Sequence, residues 1–212
     1  MKNSKDIHKN HRKRLRERFE RDGALSFESH ELLELFLFDV IPRSNTNPTA
    51  HRLLDKFGSL YGVFSAPKCE LVKVRGVGSR TADYILNAAE KFRSNIESEF
   101  LLTPIASFEN AANYLIWHTL GKNESVLTVI MLDRDMKIIK TSDYTNTEIS
   151  SAASTAVGDC ISAYAEKIII GCRGDCYSIS ELIAYSEEFE KHGIILCDII
   201  VHHGFEAESL ES

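Results

Sequence analysis

The chain has 212 residues, of which 43% are hydrophobic and 26% charged, a balance that excludes low-complexity and fibrous classes and fits a globular protein. No run approaches the roughly 18–20 apolar residues of a membrane-spanning helix, and the start Met-Lys-Asn-Ser-Lys-Asp carries no secretory-type apolar core. Five cysteines without even spacing predict a reduced, cytoplasmic protein rather than a disulfide framework. The net charge of −6 is unevenly spread. Residues 1–100 carry 18 Lys and Arg against 14 Asp and Glu, whereas residues 101–212 carry 7 against 17. That asymmetry predicts two domains with different partners, divided between residues 100 and 101.

In chain order, His8–Arg21 reads as a basic helix ended by Asp22-Gly23, with Arg12, Arg14, Arg16 and Arg18 along it. Such a helix is either a solvated face or a sequence-blind contact to a phosphate backbone. Ser26 or Ser29 is placed to cap the next helix, Glu28–Asp39, which is apolar nearly all round and therefore predicted to be buried. Prolines and asparagines make 41–48 a loop. Short helices follow at Thr49–Phe57, stopped by Gly58, at Leu60–Ser65 and at Lys68–Val74. Gly76-Val77-Gly78 then makes a tight turn into a long helix over Ser79–Asn95. This is the pattern of a helix-hairpin-helix. Its free amides and helix N-terminus suit an anion such as a DNA phosphate, with Arg75, Gly76, Gly78 and Arg80 as the contact residues. The alternative is a structural or protein-contacting hairpin.

Residues 101–104 read as a linker, after which the periodicity changes. A helix at Phe108–Leu120 precedes a hairpin of strands Val126–Leu132 and Lys137–Thr141. An alanine-rich helix (Ile149–Ala165), a strand (Lys167–Gly171), a helix (Ser180–His192) and a last strand (Ile194–Val201) complete the chain. His202-His203-Gly204 is expected to end that strand at the surface. Tyr114, Trp117 and His118 lie near one another on a helix, as a partner face or, for Trp117, as core. The fold class is therefore an all-helical first domain followed by an α/β sandwich with a mixed sheet.

These residues resemble RadC-type proteins. Leu32-Leu33, Phe57-Gly58-Ser59-Leu60 and Val74-Arg75-Gly76-Val77-Gly78 carry the resemblance in the first half, and Lys167-Ile168-Ile169-Ile170, Gly193-Ile194 and Asp198-Ile199-Ile200-Val201 in the second. It spans roughly residues 8–205 and implies a JAB/MPN domain after the helical one. The family's name implies an association with DNA repair. Active JAB domains imply one zinc held by two histidines of a His-x-His-Pro-Ser-Gly segment and the aspartate of a Ser-x-x-Asp, with a glutamate handling the proton of the zinc-bound water.

This chain departs from that set. Cys172 stands at the first histidine, Gly174 at the second, with Arg173 between them, and Glu181 stands at the aspartate within Ser178-Ile179-Ser180-Glu181. Glycine offers no ligand atom, and the Pro-Ser-Gly turn is missing. Asp143 and Glu148 are the nearest candidates for the catalytic carboxylate. The expectation is a domain without zinc and without hydrolase activity, acting as a protein-contacting or dimerising scaffold beside a DNA-contacting helical domain. The alternative is a zinc-dependent, metallopeptidase-like hydrolase with an altered ligand set. A separate Cys/His metal site would need neighbouring strands to bring Cys172 and Cys197 together, with Cys176, His202 or His203. A thiol nucleophile would need Cys172, lowered by Arg173, beside a base such as His202 or His203.

Overall fold

The computed structural model describes residues 4–42, 44–100, 103–122, 126–145, 149–174 and 177–210. The chain divides into two compact units, Met1–Ala89 and Glu90–Ser212. The division falls inside a long helix, eleven residues before the boundary expected from composition.

The first unit is helical. It contains α1 (Ser4–Asp22), a single 3-10 turn at Ala24–Ser26, α2 (Ser29–Leu37), α3 (Asn47–Phe57), α4 (Leu60–Ser65), α5 (Lys68–Leu71) and the start of α6 (Ser79–Phe100). The cap of α2 is neither Ser26 nor Ser29. It is Glu28, whose N–H donates to the Glu31 carboxylate at 3.2 Å. Glu31 is fixed in turn by Arg18, so a carboxylate rather than a serine closes the first turn. Pro48 opens α3, where its missing N–H costs nothing, and Gly58 ends it at a φ of 80°. Ser59 caps α4 by accepting from Gly62 N–H at 3.1 Å. Leu33, Leu37, Ala50, Leu53, Val63, Leu71, Ala82 and Ile85 form one buried core.

The second unit is a five-stranded mixed sheet with helices on both faces. Its elements are the end of α6, then α7 (Phe108–Thr119), β1 (Val126–Leu132), β2 (Ile138–Thr145), α8 (Ile149–Ser162), β3 (Lys167–Arg173), α9 (Ile179–Glu190), β4 (Ile195–His203) and β5 (Glu206–Ser209). The strand order is β2-β1-β3-β4-β5, and only the β3–β4 pair is parallel. That pair is joined through α9, as a parallel pair requires a crossover. The strand expected to be the last is followed by β5, too short and polar to read as a strand from composition.

Alternation along β1 sends Leu127, Val129 and Met131 towards α8 and α9, and Ile130 and Leu132 towards α7. Gly171 lets α7 lie close on β3, since a Cβ there would meet Leu115 at 2.3 Å. Among the described residues, no helix is long and apolar enough to cross a membrane.

Candidate nucleic-acid interface

The turn between α5 and α6 is built by two backbone bonds, Val74 N–H to Leu71 O and Val77 N–H to Val74 O, both at 3.0 Å. Gly76 sits at a φ of 99°, and a Cβ there would come within 2.5 Å of Thr49 Oγ1. Glycine is thus required at 76 twice over, by conformation and by space. Gly78 has neither constraint: nothing lies within 4 Å of its notional Cβ. Arg52, on α3, donates from Nε to Arg75 O at 2.9 Å and from Nη2 to Thr49 Oγ1 at 3.1 Å, tying the turn to α3. No sequence signal singled out Arg52, because its partner is a carbonyl 23 residues away.

Among the described residues, the N–H groups of Arg75, Gly76, Gly78, Ser79 and Arg80 have no hydrogen-bond partner within the chain. The side chains of Arg75 and Arg80 are exposed. Five unclaimed donors and two guanidinium groups on one turn and helix start make a concentration of positive potential. The neighbouring lysines are already engaged: Lys56 and Lys73 both pair with Glu70, and Lys68 pairs with Asp83 at 2.5 Å. The two lysines hold the Glu70 carboxyl down at about 2.

The arginines of α1 do not share one outward face. Arg12 donates to the carbonyls of Phe38, Ile41 and Ser44 and lies 4.6 Å over the Phe38 ring. Burial, then the charge of Arg16, lowers its pKa. Arg16 pairs with Asp39 at 3.2 Å, and Arg18 with Glu31 at 2.7 Å while stacking on Phe27. These three groups brace α1 against α2 and the segment after it. Arg14 alone of the four is exposed without a partner among the described residues. The same region holds a buried carboxylate that no sequence pattern marks: Glu34 is 1% exposed and accepts from Asn47 Nδ2 at 3.0 Å, with His11 at 3.0 Å and Thr46 at 3.4 Å.

In the second unit, Cys172 is buried near the end of β3 with its thiol 3.7 Å from Gly174 O. Gly174, at a φ of 70°, turns the chain after the strand. Glu181 accepts from Ser178 N–H at 2.8 Å and from its hydroxyl at 2.7 Å, completing the capping box of α9. Those bonds pull its carboxyl below the usual range. Its role is therefore to start a helix. The three positions do not fit a zinc: one has no side-chain donor, one carboxylate is bound to its own helix cap, and one thiol is buried. Among the described residues no group of three or more His, Cys, Asp or Glu is placed to hold a metal.

Cys197 does not meet Cys172. It falls at the register shift beside Leu196, near the other end of the β3–β4 pair, where Cys172 lies opposite Val201, and its thiol faces Met136. His202 is not at the surface. It is 1% exposed, with Nε2 3.0 Å from Thr119 Oγ1, and burial lowers its pKa to about 4. Cys176 and Glu148 lie outside the described residues.

Asp143 belongs to a different assembly. His118 sits between Glu97, 2.8 Å from Nδ1, and Asp143, 3.0 Å from Nε2. Lys122 donates to Asp143, and Thr128 Oγ1 does so at 2.8 Å. Burial raises the Asp143 pKa, but the hydrogen bonds and charges of His118 and Lys122 outweigh it and hold the carboxyl well below the usual carboxylate range. Tyr114 stacks on His118 and bonds Thr141 at 2.8 Å, so two of the three helical residues noted in the sequence join this cluster. Trp117 points elsewhere, to Phe92 and Phe205. With both ring nitrogens of His118 facing carboxylates, the cluster locks α6, α7 and β2 together.

A helical unit carrying an open amide turn, followed by a mixed-sheet α/β unit, is the class these elements define. No family model matches the chain. Curated relatives do, among them two named UPF0758 protein. The one from Ruegeria pomeroyi is 51% identical over 70 residues, covering 33% of this chain and 31% of the relative. The one from Rhodobacter capsulatus is 34% identical over 126 residues, 59% of each chain. The matched stretches thus span from about a third to three fifths of the relatives' length.

Proposed function

We propose that this is a RadC-like protein whose helical unit contacts the phosphate backbone of DNA through the Arg75–Arg80 turn. Its α/β unit is a JAB/MPN-like scaffold that has lost its zinc ligands and serves protein contact or self-association, not hydrolysis. The observation that carries the first part is the run of unclaimed N–H donors beside Arg75 and Arg80. The similarity to UPF0758 relatives supports the family reading. The poor fit of Cys172, Gly174 and Glu181 to a metal supports the second part. Backbone contacts of this kind release counterions, so affinity falls steeply with salt.

The test is a fluorescence-anisotropy titration of duplex DNA with the full chain across a salt series. Binding should weaken with rising salt, and Arg75→Glu should weaken it severalfold at low salt. Equal binding at high and low salt would rule out the phosphate contact. Stoichiometric zinc in protein purified without a tag would favour the altered-ligand hydrolase instead.

A further inference from the structure

A cavity of about 580 Å³ opens within the helical unit beside the first turns of α6, between that helix and Asp39-Val40. Its size lies within the range of roughly 300–1,000 Å³ typical of small-molecule sites. Arg80, Tyr84 and Asn87 line it from one face of the helix, at spacings of four and three residues. None of the three side chains has a hydrogen-bond partner among the described residues, and the Tyr84 ring is braced by Phe36, 4.8 Å between centroids. The two carboxylates in the lining are already neutralised, Asp39 by Arg16 and Asp83 by Lys68. The cavity is therefore not a repulsive acidic patch. It offers a guanidinium, an aromatic ring and a carboxamide, all unspent.

Those groups match the parts of one nucleotide. Guanidinium suits a phosphate, an aromatic ring suits a base face, and a carboxamide with donor and acceptor suits a base edge. Arg80 also borders the unclaimed amides of the turn, so a strand held there has its next nucleotide beside the cavity. We propose that this cavity takes an unpaired nucleotide of the DNA strand bound at the turn, which makes gapped or bulged DNA the preferred ligand. The inference rests on the turn being a DNA contact. A paired base inside a duplex cannot enter such a cavity without unstacking, which costs a few kcal/mol.

The experiment compares an intact duplex with the same duplex carrying a three-nucleotide gap, by anisotropy with the full chain at fixed salt. The gapped DNA should bind roughly tenfold more tightly, the gain one captured base brings. Tyr84→Ala, which removes the ring a base would stack on, should bring the two affinities close to parity, whereas Asn87→Ala and Tyr84→Phe, which keep the ring, should reduce the difference only in part. Circular dichroism on each variant confirms the fold. Salt-dependent binding with no preference for the gap would overturn the cavity assignment and leave the turn intact. A gap preference that survives Tyr84→Ala would overturn it as well. No DNA binding at any salt would overturn both. Binding of free AMP that Tyr84→Ala removes, without any gap preference, would overturn the strand as the source.

Discussion

Replacing Gly76 by alanine tests the geometry on which the whole turn depends. Two penalties add. A φ of 99° is a conformation that side chains rarely adopt, at a cost of about 1–2 kcal/mol for a β-carbon. The new methyl would also lie 2.5 Å from Thr49 Oγ1, and Thr49 is buried, so it must shift within a packed site at about 1–3 kcal/mol. The expected loss is therefore about 2–5 kcal/mol, a large share of the stability of a small helical unit. Urea denaturation followed by far-ultraviolet circular dichroism reads it as a lower midpoint. Gly78→Ala is the internal control: with open space around it, it should change stability by less than about 0.5 kcal/mol. Adding Thr49→Ala to Gly76→Ala should recover the overlap part and leave the conformational part, a coupling of about 1 kcal/mol or more. If Gly76→Ala proved as mild as Gly78→Ala, the close approach of the turn to α3 would be wrong.

Other expectations concern the charges. His202 is held neutral, with its pKa lowered from 6.5 to about 4, so the unfolded chain takes up a proton before the folded one. Stability should be constant above pH 6.5 and fall by about 3 kcal/mol as pH drops to 4, and His202→Gln should flatten that slope in acid-denaturation curves. Asp143→Asn should destabilise the second unit by about 1–3 kcal/mol at neutral pH, because His118 and Lys122 lose their shared carboxylate. An unchanged thermal midpoint would mean the cluster carries no net energy. Arg12→Ala should cost about 2 kcal/mol by removing three carbonyl bonds and the contact to Phe38, and Arg12→Lys should restore little, whereas Arg14→Ala should leave the midpoint unmoved. Equal effects at 12 and 14 would return both arginines to the surface.

Hydrophobic periodicity and glycine placement made most elements legible. Leu60–Ser65 and Val126–Leu132 coincide with the predicted spans, and Gly58 ends α3 as its position predicts. Caps were harder, since Glu28 works only because Arg18 and Glu31 come back to it. β5 lacks the apolar alternation that marks a half-buried strand and is held by pairing with β4 and by Ala207, which packs on the α7 side of the sheet. His202-His203 does end β4, and His203 is exposed, but His202 reads as a surface residue only because the sequence after it is polar. The pairing of β4 with both β3 and β5, and the Thr119 hydroxyl on its ring, bury it. The His118 cluster joins residues 97, 118, 122, 128 and 143, and no spacing rule links them.

The charge count misled in an instructive way. Nine basic residues in Lys2–Arg21 suggest a strongly positive face. A guanidinium, however, has five donors and a flat apolar surface, so it serves equally well to tie carbonyls and cover a ring inside a bundle. Arg12, Arg16 and Arg18 are used that way, each over an aromatic ring and each bonded to α2 or the segments flanking it. Positive potential available to a ligand is then set not by how many cations an element has but by how many remain after the fold has taken its share. By that measure the turn at 75–80, with two arginines and five open amides, outranks the helix with more than twice its charge. A salt-dependence slope obtained with Arg75→Glu should therefore change more than one obtained with Arg16→Glu in any variant that stays folded.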